Sequence, residues 1–282
     1  MSRRTYTFPA AAAALVAGLL VSACGPKQPG DAPVQPTDAS KPALSVFPPP
    51  PDTARIQYLA TFATAEDVEQ GKKSGGSFLS AIVGNDEKDD PRQRIYKPYG
   101  VSIANGRIYS CDTMLQAVVV MDLVGRELAV LQPTEGDGML AKPINCFADP
   151  QDNSLYVADV GRSAVLVYDS LLKFSGFLGE EGDIVRPVDV QVRGDTVWVA
   201  DQLGHQVAMF DRGTRRKIGT IPEYAPDSPE GIRQPTNLWV TENEVYVSDF
   251  GDFQVKVYTH GGEFIRPVGQ YGRGYGMFMR PK

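Results

Sequence analysis

Histidine is nearly absent from this chain: His205 and His260 are the only two in 282 residues, and neither has a second histidine at ligand spacing. A histidine-based metal or hydrolytic site therefore has little to draw on. No catalytic residue, metal ligand or cofactor is expected. Cysteine is scarce too, with Cys24, Cys111 and Cys146 too few for a disulfide framework. Positive charge is in deficit, 28 Lys and Arg against 34 Asp and Glu, a formal charge of −6. That sign opposes binding to a polyanionic backbone, which relies on cations neutralising phosphates, so nucleic acid is excluded as an expected partner. After residue 24 no apolar run reaches the ~18 residues a spanning helix needs.

The first 24 residues are of a different kind. Arg3 and Arg4 are followed by an apolar run from Ala10 to Leu20 and then by Leu20-Val21-Ser22-Ala23-Cys24. A run this short reads as a signal-peptide core and not as a spanning helix. Its last five residues resemble a lipobox, the bacterial lipoprotein signal, in which the cysteine thiol takes a diacylglyceryl group before cleavage. Residues 1–23 are therefore expected to be a signal peptide and Cys24 the lipidated residue, with the membrane as partner through that anchor. Loss of residues 1–23 removes two arginines and no acid, taking the formal charge to −8, with 26 basic against 34 acidic side chains. Ser2-Arg3-Arg4-Thr5-Tyr6 partly resembles a twin-arginine signal. Gly25, standing where an Asp would resemble an inner-membrane retention signal, favours the outer membrane, facing the periplasm.

Residues 24–52 form the expected linker. From Gly25 to Asp52 there are nine prolines in 28 residues and almost no large apolar side chains. Such a segment buries too little surface to fold, and fully extended it would reach roughly 85 Å at about 3.1 Å per residue. Residues 53–96 are expected to hold a closing strand and a connector. Arg55 to Phe62 alternates like a strand, Ser77 to Val83 suits a short amphipathic helix, and Asn85 to Arg94 is charged. That region is either a lid or partner-binding arm, or a connector packed on the domain.

Residues 97–282 repeat with a period near 45. Four copies begin at Pro98, Pro143, Pro187 and Pro235. In each, an aromatic residue precedes an aspartate by three positions: Tyr109 and Asp112, Tyr156 and Asp159, Trp198 and Asp201, Tyr246 and Asp249. Valine follows six residues beyond each aspartate (Val118, Val165, Val207, Val255), and a turn begins ten beyond it at Asp122, Asp169, Asp211 and Thr259. Alternating β-branched and aromatic residues between Gly, Asp and Asn turns predict four strands per copy, the last exemplified by Phe264 to Val268. Four-stranded units at this spacing are the blades of a β-propeller, and the fold class expected is all-β.

The copies resemble NHL repeats, most closely at Tyr156-Val157-Ala158-Asp159 and Trp198-Val199-Ala200-Asp201. The whole chain is similar to six-bladed NHL lipoproteins of the Gram-negative envelope, which join a lipobox, a proline tether and Pro-Pro-Pro-Pro-Asp to a propeller. The name-giving Asn-His-Leu stretch is missing; Gly161-Arg162, Gly204-His205 and Gly251-Asp252 stand in its place. The resemblance implies six blades, of which four are complete. It also implies a truncated chain, with Gly272 to Met279 and Arg280-Pro281 beginning a fifth copy and Arg55 to Phe62 serving as the outer strand of another blade.

Immediately before the prolines stand Lys97, Lys142, Arg186 and Gln234. First-strand starts lie beside second-strand ends, so these residues are expected next to Asp112, Asp159, Asp201 and Asp249. The aspartates either cap their own turns or join the cations in a charged ring at the channel mouth. Cys111 and Cys146 lie on adjacent blades and allow either one bridge or two buried thiols. His205, in the loop after Asp201, is a turn residue or the sole candidate catalytic histidine. Three functions compete: a membrane-anchored protein-binding or scaffolding module with an envelope protein partner, a propeller hydrolase or lyase, and a sensor of a small anionic ligand.

Overall fold

The computed structural model describes residues 46–48, 51–53, 55–69 and 94–282. The signal segment, Cys24, most of the proline linker, the Ser77–Val83 helix and the charged stretch up to residue 93 lie outside the described residues. The chain divides into two compact units between Leu59 and Ala60. In the first, β1 (Val46–Phe47) pairs antiparallel with β2 (Ile56–Gln57), and Arg55 N donates to Phe47 O at 2.9 Å. The strand expected over 55–62 is thus only two residues long, and among the described residues it pairs with β1 and with no blade. Pairing toward the turn stops at Pro48, which has no N–H to donate. The hairpin also straddles the expected linker border at residue 52.

The second unit is built from four four-stranded antiparallel sheets, each a meander of consecutive strands. Blade 1 comprises β3 (Pro98–Ala104), β4 (Arg107–Asp112), β5 (Ala117–Asp122) and β6 (Glu127–Leu131). Blade 2 comprises β7 (Pro143–Ala148), β8 (Leu155–Asp159), β9 (Ala164–Tyr168) and β10 (Phe174–Phe177). Blade 3 runs through β11 (Pro187–Arg193), β12 (Thr196–Asp201), β13 (Gln206–Asp211) and β14 (Lys217–Ile221). Blade 4 runs through β15 (Pro235–Val240), β16 (Glu244–Asp249), β17 (Gln254–Thr259) and β18 (Phe264–Val268). The first strands β3, β7, β11 and β15 pack side by side in that order, so the sheets stack as neighbouring blades around one wall. This is β-propeller architecture, all-β, with four blades among the described residues. Residues 271–278 form only an isolated bridge, Tyr271 to Phe278, and not a further strand.

Strand alternation explains the stacking. In β8, Leu155 and Val157 face blade 1, sharing a core with Tyr109, Cys111, Val118 and Val120. Tyr156 and Ala158, on the other face, join Val190, Val197, Val199 and Phe210 of blade 3. Trp198 and Ala200 repeat the arrangement against Leu238, Val245 and Val247 of blade 4. In blades 1 to 3 the aromatic residue three before the aspartate, Tyr109, Tyr156 or Trp198, is therefore the plug that fills the gap to the next blade. Each fully buried side chain of this size contributes about 1.5–3 kcal/mol of apolar burial.

Blade 1's remaining face is covered in another way. A short helix, α1 (Ala65–Glu69), places Val68 on Val119 and Met121, while Phe62 and Ile95 pack beside them. Asp67 caps the helix start by accepting from the Ala63 and Thr64 nitrogens at 2.8 and 2.9 Å. Residues 60–69 and 94–97 are joined by Ile95 N donating to Ala63 O at 2.8 Å. Residues 60–69 and 94–97 pack on blade 1, while the stretch 70–93, on which the two readings of this region turn, lies outside the described residues.

Candidate binding surface

The repeated aspartates sit where β4, β8, β12 and β16 end. Asp112, Asp159, Asp201 and Asp249 are all 0 % exposed. Each carboxylate bridges two backbone segments. Asp159 accepts from Ala141 and Lys142 nitrogens at 2.7 and 2.8 Å and from Gly161 N at 2.8 Å. Asp201 accepts from Val185, Arg186 and Gly204 nitrogens at 3.0, 2.8 and 3.2 Å. Asp249 accepts likewise from Arg233, Gln234 and Gly251 nitrogens. At Asp112, burial pushes the carboxyl up, but N–H groups of Leu115, Tyr96, Lys97 and Met114 outweigh it and hold it below the usual carboxylate range.

These aspartates are therefore not part of a charged ring open to a ligand. The expected neighbours are adjacent, but through their backbone nitrogens. The side chains of Lys97, Lys142 and Gln234 are exposed and that of Arg186 half-buried. Among the described residues none of them forms an ion pair with an aspartate of the set. The cause is geometric: the last β4-type residue pairs with the proline, so the carboxylate reaches the two nitrogens just before it.

The turns that follow have one form. Gln116, Ser163, His205 and Phe253, four beyond each aspartate, all adopt left-handed backbone, with φ of 54°, 50°, 55° and 58°. His205 donates through Nδ1 to Arg233 O in the loop ahead of β15, so it ties its turn to blade 4, and among the described residues it forms no ion pair with an acid. Among the described residues no group of three or more His, Cys, Asp or Glu is placed to hold a metal ion.

Cys111 and Cys146 are buried free thiols, not a bridge. They lie in the core between blades 1 and 2, and Cys146 Sγ donates to Tyr109 O at 3.8 Å. Burial pushes the Cys111 thiol well above its ordinary value, so the reactive thiolate is suppressed.

Three residues that the sequence reading passed over organise the inner wall. Two positions beyond each proline stand Gly100, Asn145, Asp189 and Asn237. Asn145 Nδ2 donates to Asp189 Oδ1 at 2.7 Å, Val190 N donates to the same oxygen at 2.8 Å, and Leu238 N donates to Asp189 Oδ2 at 2.8 Å. One carboxyl thereby ties β7, β11 and β15 together. Burial raises it to about 7, against lowering hydrogen bonds from Leu238, Val190 and the Asn237 side chain. Glycine is required at position 100, since a Cβ there would fall on Asn145 Oδ1 and lie 2.6 Å from Ile144 O. The recurrence of Asn or Asp two beyond the proline in three copies was the available signal.

A fourth residue, Lys256, is 0 % exposed and reaches Asp249, Asp252 and Gly231 O. By register it occupies the place of Val119, Leu166 and Ala208. A lone charge in an apolar column of the repeat was legible but unused.

In front of the polar belt the inner strands line a concavity of about 810 Å³. Its walls include Val101, Ile103, Phe147, Gln191 and Trp239. Val101 is 56 % exposed, Ile103 69 % and Trp239 62 %, unusual for apolar side chains within strands. Beside Trp239, Tyr246 donates to Glu244, which Arg266 grips in a bidentate pair at 2.7 and 3.1 Å. The Arg266 guanidinium first, and the Tyr246 hydroxyl second, lower the Glu244 carboxyl to about 2.

No protein-family model matches the chain, and no curated protein matches it. Among solved structures it is similar to the nidogen/laminin complex, with 16 % identity and a TM-score of 0.49 over 62 % of this chain and 65 % of that one. It is similar to hydrazine synthase of Kuenenia stuttgartiensis, with 14 % identity and a TM-score of 0.48 over 64 % and 51 %. It is also similar to streptogramin B lyase, with 11 % identity and a TM-score of 0.49 over 60 % and 53 %. The chain thus spans about half to two thirds of the length of these solved chains. The propeller architecture rests on the blade geometry itself, and these likenesses carry nothing about activity.

Proposed function

We propose that this chain is a lipoprotein of the Gram-negative envelope, anchored through Cys24, whose NHL-type propeller binds another envelope protein. The observation that carries the reading is the inner wall, where Val101, Ile103 and Trp239 are exposed within strands beside amide side chains. Aromatic and aliphatic anchors with a polar surround are the composition of a protein contact surface. The repeated acids that could have served a ligand are instead engaged inside the blades, while Lys97 and Lys142 stay exposed at the strand starts and suit an acidic partner loop. The anchor and the proline linker, read from residues 1–52, would hold that surface within reach of membrane-bound partners.

The test is affinity capture from gently solubilised envelopes, comparing the lipidated protein with its Trp239→Asp variant. A stoichiometric protein partner recovered with the parent and lost with the variant supports the reading. Equal recovery with both, or none with either, overturns it. Fractionation of Cys24→Ser tests the anchor separately: the variant is expected in the soluble periplasmic fraction, and continued sedimentation with membranes would overturn the lipidation.

A further inference from the structure

The loops that lead from a blade's last strand to the next proline differ in chemistry. Three are acidic: Glu135 and Asp137 precede Pro143, Glu180, Glu181 and Asp183 precede Pro187, and Glu223, Asp227 and Glu230 precede Pro235. The loop before Pro281 holds Arg273 and Arg280 and no acid. Its Tyr271, Tyr275, Met277 and Met279 are exposed, Tyr275 fully. Six positions before the proline, Tyr275 corresponds to Asp137, Glu181 and Pro229, which are exposed as well, so the tip projects by its place in the repeat. The loop is also held in shape. Phe278 N donates to Gln270 O at 2.8 Å, Gly272 N to Phe278 O at 3.1 Å and Met277 N to Gly274 O at 3.2 Å. The Tyr271 ring lies on Phe253, with centroids 4.8 Å apart. A pre-ordered tip loses little entropy on docking, and Tyr and Arg are the side chains that anchor interfaces.

A receptor of matching chemistry is present on the same chain. Between the turn at 162–164 and the loop ahead of Pro187 lies a hollow of about 660 Å³. Phe177, Leu178, Ile184 and Val185 make it apolar, and Glu180 and Glu181 stand among its lining residues. Arg162, its one cation, is engaged: the guanidinium lies 5.5 Å from the Phe177 ring centroid and donates to Met139 O. Among the described residues Glu180, Glu181 and Arg273 form no ion pair. Both features sit at the end of the blades where the second strands finish, the hollow beside the turn after Asp159 and the loop against the turn after Asp249. Blade 3 separates them, so the loop does not fill the hollow of its own chain.

We propose that two copies of this chain associate end to end about a two-fold axis, the 271–279 loop of each seated in the hollow of the other. Tyr275 and Met277 meet Phe177 and Val185 across the interface, and Arg273 meets Glu180 and Glu181. Because loop and hollow lie at one end, the axis that makes the first contact repeats it, and the assembly closes at two copies. The association stands apart from the anchor and from any protein on the inner wall.

The experiment is disulfide cross-linking in whole cells that make two differently tagged forms of the full chain, one with Gly274→Cys and one with Ser163→Cys. Both are exposed turn positions, Cys111 and Cys146 are buried, and cells lacking the introduced cysteines set the background. A mixed covalent dimer is expected. Its yield should fall about tenfold when the second cysteine moves to Gln116, the same turn position in blade 1, or when Arg273→Glu is added to the first form. Glu180→Arg with Glu181→Arg in the second form should then restore it. No mixed dimer, as for a loop that sits on an anionic lipid surface instead, would overturn the proposal. So would an equal yield with Gln116→Cys, indifference to Arg273→Glu, or a loss that the paired reversal leaves unrestored.

Discussion

Asp201 holds Arg186 by its backbone nitrogen at 2.8 Å, while the guanidinium of Arg186 takes no part and its buried Nε has no partner among the described residues. The same bond joins Asp112 to Lys97, Asp159 to Lys142 and Asp249 to Gln234. Residue 234 is a glutamine in the fourth case and the bond is unaltered, because the side chain at that position is irrelevant to it. A repeated acid beside a repeated base is here a backbone staple and not an ion pair.

Removing one staple should therefore be costly and removing a cation nearly harmless. Asp201→Ala leaves the nitrogens of Val185, Arg186 and Gly204 without their acceptor, and a loss of roughly 2–4 kcal/mol is expected in urea unfolding. Lys142→Gln should change stability by less than about 0.5 kcal/mol. Similar losses for the two variants would refute the backbone role.

Asp189 should make stability depend on pH. Its folded-state value of about 7 lies above the ordinary 3.8, so the folded protein retains a proton that the unfolded chain releases. The stabilisation from that proton is complete below about pH 4 and is lost as pH rises through 7. At ~1.4 kcal/mol per unit the change is roughly 4 kcal/mol. Urea unfolding between pH 4 and 8 should show this slope in the parent and lack it in Asp189→Asn. An identical slope in both would assign it elsewhere.

Lys256→Met is expected to destabilise the fold by about 3 kcal/mol, since it leaves the Asp249 and Asp252 carboxylates facing a methyl group in a closed interior. The denaturation midpoint measures it. A variant as stable as the parent would show that the backbone donors to Asp249 suffice.

Cys111 and Cys146 should be inert in the native protein. Both are buried, and burial keeps Cys111 in its thiol form. Alkylation followed by peptide mass analysis is expected to leave both unmodified when folded and label both in urea. Peptides linked through these residues in a non-reduced digest would contradict the free thiols.

The strand pattern was legible because a blade is a local unit. Consecutive strands pair through short turns, so the proline, aromatic, aspartate and valine offsets translate directly into register: Pro187 opposite Asp201, Val197 opposite Phe210. The covering of blade 1 was not legible, because Phe62 and Val68 reach Ile108 and Met121 across a chain separation that no repeat encodes. For the same reason Arg55 to Phe62 read as one strand, while its residues fall into two separate units.

By itself the sequence determined where four blades begin and which residues end their second strands, since each follows from strand alternation and hairpin pairing. Only the tertiary structure decided what those residues touch. Pairing of each proline with its own blade's aspartate turned the carboxylates toward backbone nitrogens, and packing closed Lys256 inside a column its copies fill with valine, leucine and alanine and gathered Asn145, Asp189 and Asn237 from separate repeats onto one wall. Which groups meet across blades depends on how sheets twist and pack against one another, and that information is carried by distances between repeats and not by spacing within them.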